Sequence, residues 1–499
     1  TLREVFKEEW LLYFIDTKKS QGFYIINNKK RLQKFYDTYK NEIMVGWNSI
    51  TYDKYILQAI LAGFNPKKLN DWIIRDGKKG WEFSSELRKF PVIMFDAMTL
   101  NRSLKRCEGS LGIRIVESTV PFDIDRKLTQ QELKEVLEYC KYDVWATFEI
   151  FTMGGFYLAP ADEFKASMGI IEEFGYPIHY LSKTKAQLGT TVLGANYNNI
   201  QDFDDEFDLV NPTNLKLGKY EYVRDWFFNP ENHWYSKEIE GRVTKEQNEL
   251  VTEVAGVDHV FRFGGLHASR TGIFDGRLLL LDFSSLYPNI TVQYGFVSRN
   301  VPNADRYKEL LETRLDLKAQ NDPREISYKL ALNASYGQLK YVYSPIYDPR
   351  MANNIVVHGQ LILLDLIEKI EPYGKILNSN TDGVLIQVFN KEDEDMVRKI
   401  AKEVEQRVRI PLDIEEFKRF ILKDVNNYIG VRDNGKIVVK GGYVKYQNPL
   451  ELSNNIINHA IREYYINGVS ARETIENCDD LMQFQIISNA GRKYKCAMY

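Results

Sequence analysis

The sequence predicts a multidomain protein of mixed α/β and α+β class, and three observations carry that reading. Its 499 residues exceed what a single core sustains, since domains typically hold about 100–200 residues. Residues 1–155 alternate apolar strand-like runs with amphipathic helical stretches, as an α/β unit does. From Arg262 onward the texture changes to glycine-bounded apolar runs and long helical segments, an α+β pattern.

The first unit shows strand patterns at WLLYFID (10–16), GFYIIN (22–27), EIMVGW (42–47) and PVIMFDAM (91–98), and closes on the helix TQQELKEVLEYCKYDVWATFEIF (129–151). Residues 156–260 are aromatic-rich, broken by NPTN and NPEN, and show no clear period, so they read as a connecting region. FRFGGLHASR (261–270) marks a Gly-Gly turn, RLLLLDF (277–283) a buried strand, and SLYPNITVQYG a helix start. Two helices, Ala304–Ala319 and Arg324–Lys340, are joined by the breaker QNDP and predict an antiparallel helical hairpin. A third helix, NNIVVHGQLILLDLIEKI (353–370), precedes GKILNSNTDGVLIQVF (374–389), two strands around a tight turn.

Composition excludes several classes. Hydrophobic residues make up 44% and charged residues 27%. No run approaches the ~18 apolar residues of a membrane helix, so no membrane role is expected. Cys107, Cys140, Cys478 and Cys496 are scattered without C-x-x-C pairs, which supports neither a disulfide framework nor a zinc ribbon and points to a reducing, cytoplasmic setting. The net charge of -3 argues against a uniformly basic nucleic-acid binder. Charge is clustered, however: QDFDDEFD (201–208) and NKEDED (390–395) are acidic, while GKIVVKGGYVKY (435–446) and GRKYK (491–495) are basic and interleaved with aromatics. Any one of these runs also reads as a solvated face. The chain opens on Thr1 rather than Met, from which missing N-terminal residues are expected.

Two aspartates stand out. Asp282 closes the run Leu278–Leu281, and Asp382 sits in the turn of SNTDGV. Singly, each is a strand-end cap or a turn aspartate. Together they supply what phosphoryl transfer demands, carboxylates for two Mg²⁺ ions about 3.5–4 Å apart, with cations nearby for phosphates. On the second hairpin helix Lys329, Asn333 and Tyr336 fall at i, i+4 and i+7 and share a face. Arg314 and Lys318 offer further cations at i, i+4, or the polar side of an ordinary amphipathic helix.

DFSSLYP (282–288), KLALNASYG (329–337) and NTDG (380–383), in that order, resemble the three polymerase motifs of family-B DNA polymerases. The whole chain is similar to the compact family-B enzymes of bacteriophages infecting Gram-positive bacteria. The resemblance implies an RNase H-like 3′-5′ exonuclease domain followed by a right-hand polymerase palm, short two-helix fingers and a thumb. The corresponding boundaries are 1–155 (exonuclease-like), 156–260 (connecting), 261–303 (palm), 304–340 (fingers), 341–438 (palm) and 439–499 (thumb, short or incomplete). It implies DNA-directed DNA synthesis from dNTPs on primer–template DNA, with Asp282 and Asp382 as catalytic and metal-binding residues. It further implies the Phe283 backbone carbonyl as an additional ligand of two Mg²⁺ ions, for which Mn²⁺ can substitute.

In the same resemblance the amides of Ser284, Ser285, Leu286 and Tyr287 cradle the triphosphate, a strand-to-helix anion nest. Tyr287 stacks beneath the incoming sugar and excludes a 2′-hydroxyl. Lys329, Arg314 and Lys318 hold phosphates, Asn333 positions the nucleotide, and Tyr336 with Gly337 packs on the nascent base pair. Where the family shows Asp-Thr-Asp, this chain has Asn380, so Asn380 is not expected to be a primary ligand. LKDVNNYIG (422–430) resembles the segment supporting the primer terminus, with Lys423 and Tyr428 as DNA contacts, and KGGYVKY opens the thumb with Lys440. FGGLHAS resembles a template-contacting segment through Gly264 and Gly265, which also read as a simple turn. The tight spacing from Asp282 through Lys329 to Asp382 leaves no room for the insertions of protein-primed relatives, so ordinary primer extension is expected.

The exonuclease motifs are incomplete. GWNSITYD (46–53) resembles the second motif through Asn48 and Asp53, and EYCKYD (138–143) the third through Tyr139 and Asp143, which share a helix face. Asp96 is a weaker, structural candidate. The first motif should be Asp-x-Glu; Glu4 fits its second position but Leu2 occupies the first, while the register at Asp16 keeps an Asp and loses the Glu. Weak or absent proofreading is therefore expected. The alternatives are a catalytically silent primer–template-binding protein, a nuclease using the palm as scaffold, and a reverse transcriptase or RNA polymerase. The resemblance further implies phage DNA replication in a bacterial host cytoplasm, a monomer, and possible replication accessory proteins.

Overall fold

The computed structural model describes residues 2–195, 205–239, 242–442 and 444–488. Its contacts divide the chain into two compact units: residues 2–184 with 447–455 and 478–488, and residues 185–446 with 456–477. The division at Thr184 falls inside the segment read as connecting, and parts of 439–499 belong to each unit.

In the first unit β1 (Leu2–Val5), β2 (Trp10–Asp16) and β3 (Gln21–Ile26) form an antiparallel meander, and β4 (Met44–Gly46) pairs in parallel with β5 (Met94–Asp96). Helices α1 (Lys29–Tyr39), α2 (Asp53–Ala62), α3 (Pro66–Ile74), α4 (Leu104–Ser110), α5 (Gln130–Phe151) and α6 (Pro160–Glu173) surround them. The period-2 pattern of β2 makes it two-faced. Leu12 and Phe14 join a core with Leu32, Ile56, Leu57 and Ile60, whereas Leu11 and Tyr13 join one with Val136, Cys140 and Val144 of α5. A reciprocal Thr129/Glu132 capping box starts α5.

The second unit begins with α7 (Lys185–Val192), α8 (Glu221–Phe228) and the hairpin β6 (Trp234–Ile239)–β7 (Arg242–Gln247). Its centre is an antiparallel sheet of nine strands: β8 (Glu249–Val254), β9 (Val257–Arg262), β10 (His267–Ser269), β11 (Gly272–Phe283), β12 (Gly374–Asn380), β13 (Gly383–Val388), β14 (Leu412–Asp424), β15 (Asn427–Arg432) and β16 (Ile437–Lys440). They lie in the order β16-β15-β14-β11-β13-β12-β10-β9-β8. Helices α9 (Leu286–Gln293), α10 (Asp305–Ala319), α11 (Glu325–Gln338), α12 (Pro349–Ile370), α13 (Lys391–Val408), α14 (Ile456–Asn467) and α15 (Ala471–Glu476) complete the unit. The helical hairpin expected around QNDP is α10–α11, and the strands around SNTDGV are β12 and β13. No helix among the described residues is long and apolar enough to cross a membrane.

Two readings need correction. Residues 156–260 are not unpatterned, since they carry α6, α7, α8 and β6 to β9. The β8–β9 hairpin escaped notice because its turn is Ala255-Gly256, both at positive φ (53° and 73°), and alanine is an unusual occupant of such a turn. The acidic run 201–208 is not simply a solvated face. Of its described part, Asp205 pairs with Arg299, Asp208 pairs with Arg350 at 2.6 Å, and Asn354 donates to the Asp208 carbonyl. The basic run 491–495 lies outside the described residues.

Candidate active site

Asp282 is the penultimate residue of β11 because four leucines commit the preceding residues to the sheet, and the acid lies close to where the chain leaves the strand for α9. Across the ladder Asp282 faces Gly383 on β13 and Asp413 on β14. Asp382 lies in the two-residue turn between β12 and β13, and its carbonyl accepts the Phe283 N–H at 2.8 Å. That bond fixes the turn against the end of β11, bringing the two predicted carboxylates to one place. Burial, followed by the charges of Asp382, Asp413 and Glu415, pushes the Asp282 carboxyl up to about 7, with Lys440 opposing. Loss of surrounding water likewise raises Asp382, again against Lys440.

Clustered carboxylates that resist ionisation suit a hard divalent cation, which takes oxygen ligands and relieves their repulsion. Asp282 and Asp382 fit such an ion as charged ligands. Among the described residues no group of three or more His, Cys, Asp or Glu is placed to hold a metal, so this donor set is a pair.

Beyond Asp282 the chain turns sharply. Ser285 takes a left-handed conformation (φ 52°, ψ 46°), a conformation that side chains rarely adopt and that marks functional turns. The amides of Leu286 and Tyr287 open α9, where first-turn N–H groups lack helical partners. Ser284 departs from the expected cradle: its N–H is taken by the Pro411 carbonyl at 2.8 Å, and its hydroxyl donates to Asp413 at 2.6 Å. Arg314, 5% exposed, reaches from α10 to the Ser285 hydroxyl and lies 3.5 Å from Glu325. It is thus drawn into the site rather than onto a solvated helix face. Lys318, Lys329 and Asn333 are exposed. The Tyr287 and Tyr336 rings pack with centroids 4.6 Å apart. Behind Tyr287 lies Gly359 of α12, where an added Cβ would come within 3.2 Å of the ring.

The Gly-Gly segment approaches this centre. Gln360 of α12 donates to the Arg262 and Gly264 carbonyls (2.7 and 3.0 Å) and accepts the Arg262 N–H. A Cβ at Gly265 would meet the Thr381 hydroxyl at 2.5 Å, so the segment lies against the carboxylate turn. No atom stands within 4 Å of a Cβ built at Gly337. Tyr428 and Lys440 are cross-strand partners, the ammonium 5.9 Å from the ring centroid, and both feel the two aspartates. Lys423 is exposed on β14, its carbonyl accepting the Thr271 hydroxyl.

Sequence reasoning missed Asp413 and Glu415. The signal was present in LDIEEF, where acids two apart on a strand share a face, but nothing in it says that β14 lies beside β11.

In the first unit the segments that resemble the second and third exonuclease motifs meet different fates. Asp96 accepts backbone N–H groups from Asn48, Ile50 and Met98, so it is a loop clamp. Asn48 sits at φ 53° in that loop and accepts the Thr51 hydroxyl. Asp53 is buried in the first turn of α2. Asp143, also buried, pairs with Lys105, which lies 3.4 Å from Glu108 and 5.0 Å from the Tyr139 ring centroid. An ammonium therefore neutralises Asp143, while burial pushes Glu108 up to about 7. Glu4 lies on β1 opposite Leu11, and its side chain lies outside the described residues.

No protein-family profile matches the chain. Curated relatives do. The DNA polymerase alpha catalytic subunit of Trypanosoma brucei brucei is 26% identical over 208 residues, covering 31% of this chain and 16% of the relative. DNA polymerase 1 of Saccharolobus solfataricus is 26% identical over 153 residues (30% and 17%), and the DNA polymerase alpha catalytic subunit of Xenopus laevis is 25% identical over 222 residues (34% and 15%). The chain therefore matches only a small part of each relative's length. The structure of the family B DNA polymerase from the archaeon Pyrobaculum calidifontis aligns over 93% of this chain and 60% of that one, at 16% identity and a TM-score of 0.45.

Proposed function

We propose that this chain, a relative of DNA polymerases over about a third of its length, is a family-B-type DNA-directed DNA polymerase that extends a primer with dNTPs. The observation that carries the proposal is the convergence of Asp282, Asp382, the Ser285 turn, Arg314 and Tyr287 around the end of β11. Two divalent ions held by Asp282 and Asp382, with the Phe283 carbonyl as a further oxygen, would activate the primer hydroxyl and neutralise the triphosphate. The Leu286 and Tyr287 amides and Arg314 orient the phosphates. Tyr287, backed by Gly359 and packed on Tyr336, forms a rigid wall under the sugar. Lys318, Lys329 and Asn333 complete the nucleotide contacts from the exposed faces of α10 and α11. Tyr428 and Lys440 face the primer end, and Gly264 and Gly265 allow the template backbone to approach.

The likeness to compact phage enzymes supports genome replication in a bacterial cytoplasm by a monomer. Weak or absent proofreading is supported by Leu2 in the first motif and by Lys105 on Asp143.

Primer extension on a primed DNA template with Mg²⁺, comparing dNTPs with rNTPs for wild type and Asp382→Ala, tests the proposal. Template-directed dNTP incorporation lost in the variant is expected. Tight primer–template binding without incorporation by wild type would instead identify a silent DNA-binding protein.

A further inference from the structure

The loop that follows α11 shows two tyrosine rings to solvent on a fixed base. Its ends are tied by the Asp348 N–H to the Leu339 carbonyl at 2.8 Å, and the Ser344 N–H bonds the Tyr341 carbonyl at 2.8 Å. Leu339, Ser344, Ile346 and Asp348 are all buried. The loop is thus anchored through its backbone without help from the Tyr341 and Tyr343 rings, the residues being 52% and 71% exposed with ring centroids 5.6 Å apart, edge to face. Fixed aromatic rings turned to water contribute little to folding and suit a ligand with a π-face.

The loop's position says which ligand. Lys340, next to Tyr341, donates to the Phe263 carbonyl at 2.7 Å. Phe263 begins the Gly-Gly segment, whose Gly265 lies against Thr381 beside Asp382. The tyrosine pair is therefore coupled through one short segment to the carboxylate turn. Nothing basic is interposed between the two rings in sequence, only Val342, itself 46% exposed, so the tip favours a base over a phosphate.

We propose that Tyr341 and Tyr343 form a stacking platform for the unpaired template base ahead of the primer end. The inference rests on the polymerase reading above and goes beyond it by naming a site for single-stranded template. Stacking tolerates every base because each has a π-face. The platform would hold the template strand open without selecting sequence, leaving selection to base pairing at the carboxylate site.

The test uses the full chain and two primer–templates, one with a four-nucleotide 5′ template overhang and one whose template stops at the base being copied. Affinity is read by fluorescence anisotropy, and stacking by 2-aminopurine at the first unpaired template position beyond the copied base. Wild type should prefer the overhang, and Tyr341→Ala/Tyr343→Ala should lose about 5- to 150-fold of that preference together with the 2-aminopurine quench. Tyr341→Phe/Tyr343→Phe should retain both. An overhang preference and quench unchanged in the alanine variant would overturn the platform while leaving the polymerase reading intact. Failure of wild type to bind either duplex would overturn both.

Discussion

Asp413 stands directly across from Asp282 in the antiparallel ladder, and the Ser284 hydroxyl ties the Asp413 carboxylate beside the end of β11. Directly opposed residues share a sheet face, where like charges destabilise. Burial first, then the charges of Asp382, Asp413 and Glu415, make Asp282 hard to ionise and raise its carboxyl to about 7. The folded state then holds a proton that the unfolded chain, near its ordinary value of ~3.9, has released. Stability should therefore fall as pH rises between about 4 and 7. Melting in EDTA across that window should show the decline in wild type, a shallower one in Asp413→Asn, and the shallowest in Asp282→Asn. Superimposable profiles for the three proteins would refute the coupling.

Gly359 presents a conflict between local and tertiary preference. In a helix interior, glycine to alanine ordinarily gains about 1 kcal/mol. Here the new methyl would meet Tyr287 at 3.2 Å and Leu286 at 3.5 Å, and Tyr287 is backed against Tyr336. Gly359→Ala should show no stability gain and a several-fold change in the ratio of dNTP to rNTP incorporation, because Tyr287, the proposed wall beneath the sugar, moves. A stabilised protein with unchanged sugar discrimination would show that Tyr287 does not serve as that wall.

Much of this organisation was legible from the chain alone. The α10–α11 hairpin, α12, and the β12–β13 turn carrying Asp382 each have a local cause: a breaker, a long apolar period, a polar Thr-Asp turn followed by Gly383. Asp282 was legible because an acid after four leucines conflicts with its surroundings. What was not legible depends on partners remote in sequence. Asp413 matters only because β14 pairs with β11, Ser284 is lost to the cradle only because Pro411 takes its amide, and Lys105 meets Asp143 only through the packing of α4 on α5. The role of the acidic strap at 205–208 stays open in the sequence, where a solvated face reads as well as any other, because Arg299 and Arg350, which hold it, lie far along the chain.

Gln360 shows how a buried amide can set a site at a distance. It is 1% exposed and satisfies the Arg262 N–H and the carbonyls of Arg262 and Gly264. Gln360→Ala should cost about 2–6 kcal/mol, since it removes the partner of the Arg262 N–H and of the Gly264 carbonyl at roughly 1–3 kcal/mol each, while the Arg262 carbonyl keeps the Gly264 N–H at 2.7 Å. Denaturant unfolding would measure the loss. Gln360→Glu keeps the acceptor and removes the donor, so it should free the Gly264 carbonyl and weaken primer–template binding through the loosened Gly-Gly segment. Binding unaffected in both variants would separate that segment from template contact.

Lys105 supplies the counter-charge for Asp143 and lies beside Glu108, two acids in the interior of the first unit. Lys105→Met removes the cation while keeping the aliphatic bulk, so both carboxyls should take up protons more readily when folded than when unfolded. The variant should lose more stability at pH 8 than at pH 5, the sign expected for acids whose folded values rise. Excision of a mismatched primer end should stay near background in wild type and in Lys105→Met, because Leu2 stands where the proposed proofreading reading calls for a bridging carboxylate. Leu2→Asp should raise Mg²⁺-dependent trimming, and the Leu2→Asp/Lys105→Met double variant should raise it further by uncovering Asp143. Robust trimming by the wild-type chain would show that hydrolysis proceeds without that carboxylate and would remove the basis for reading this unit as proofreading-deficient.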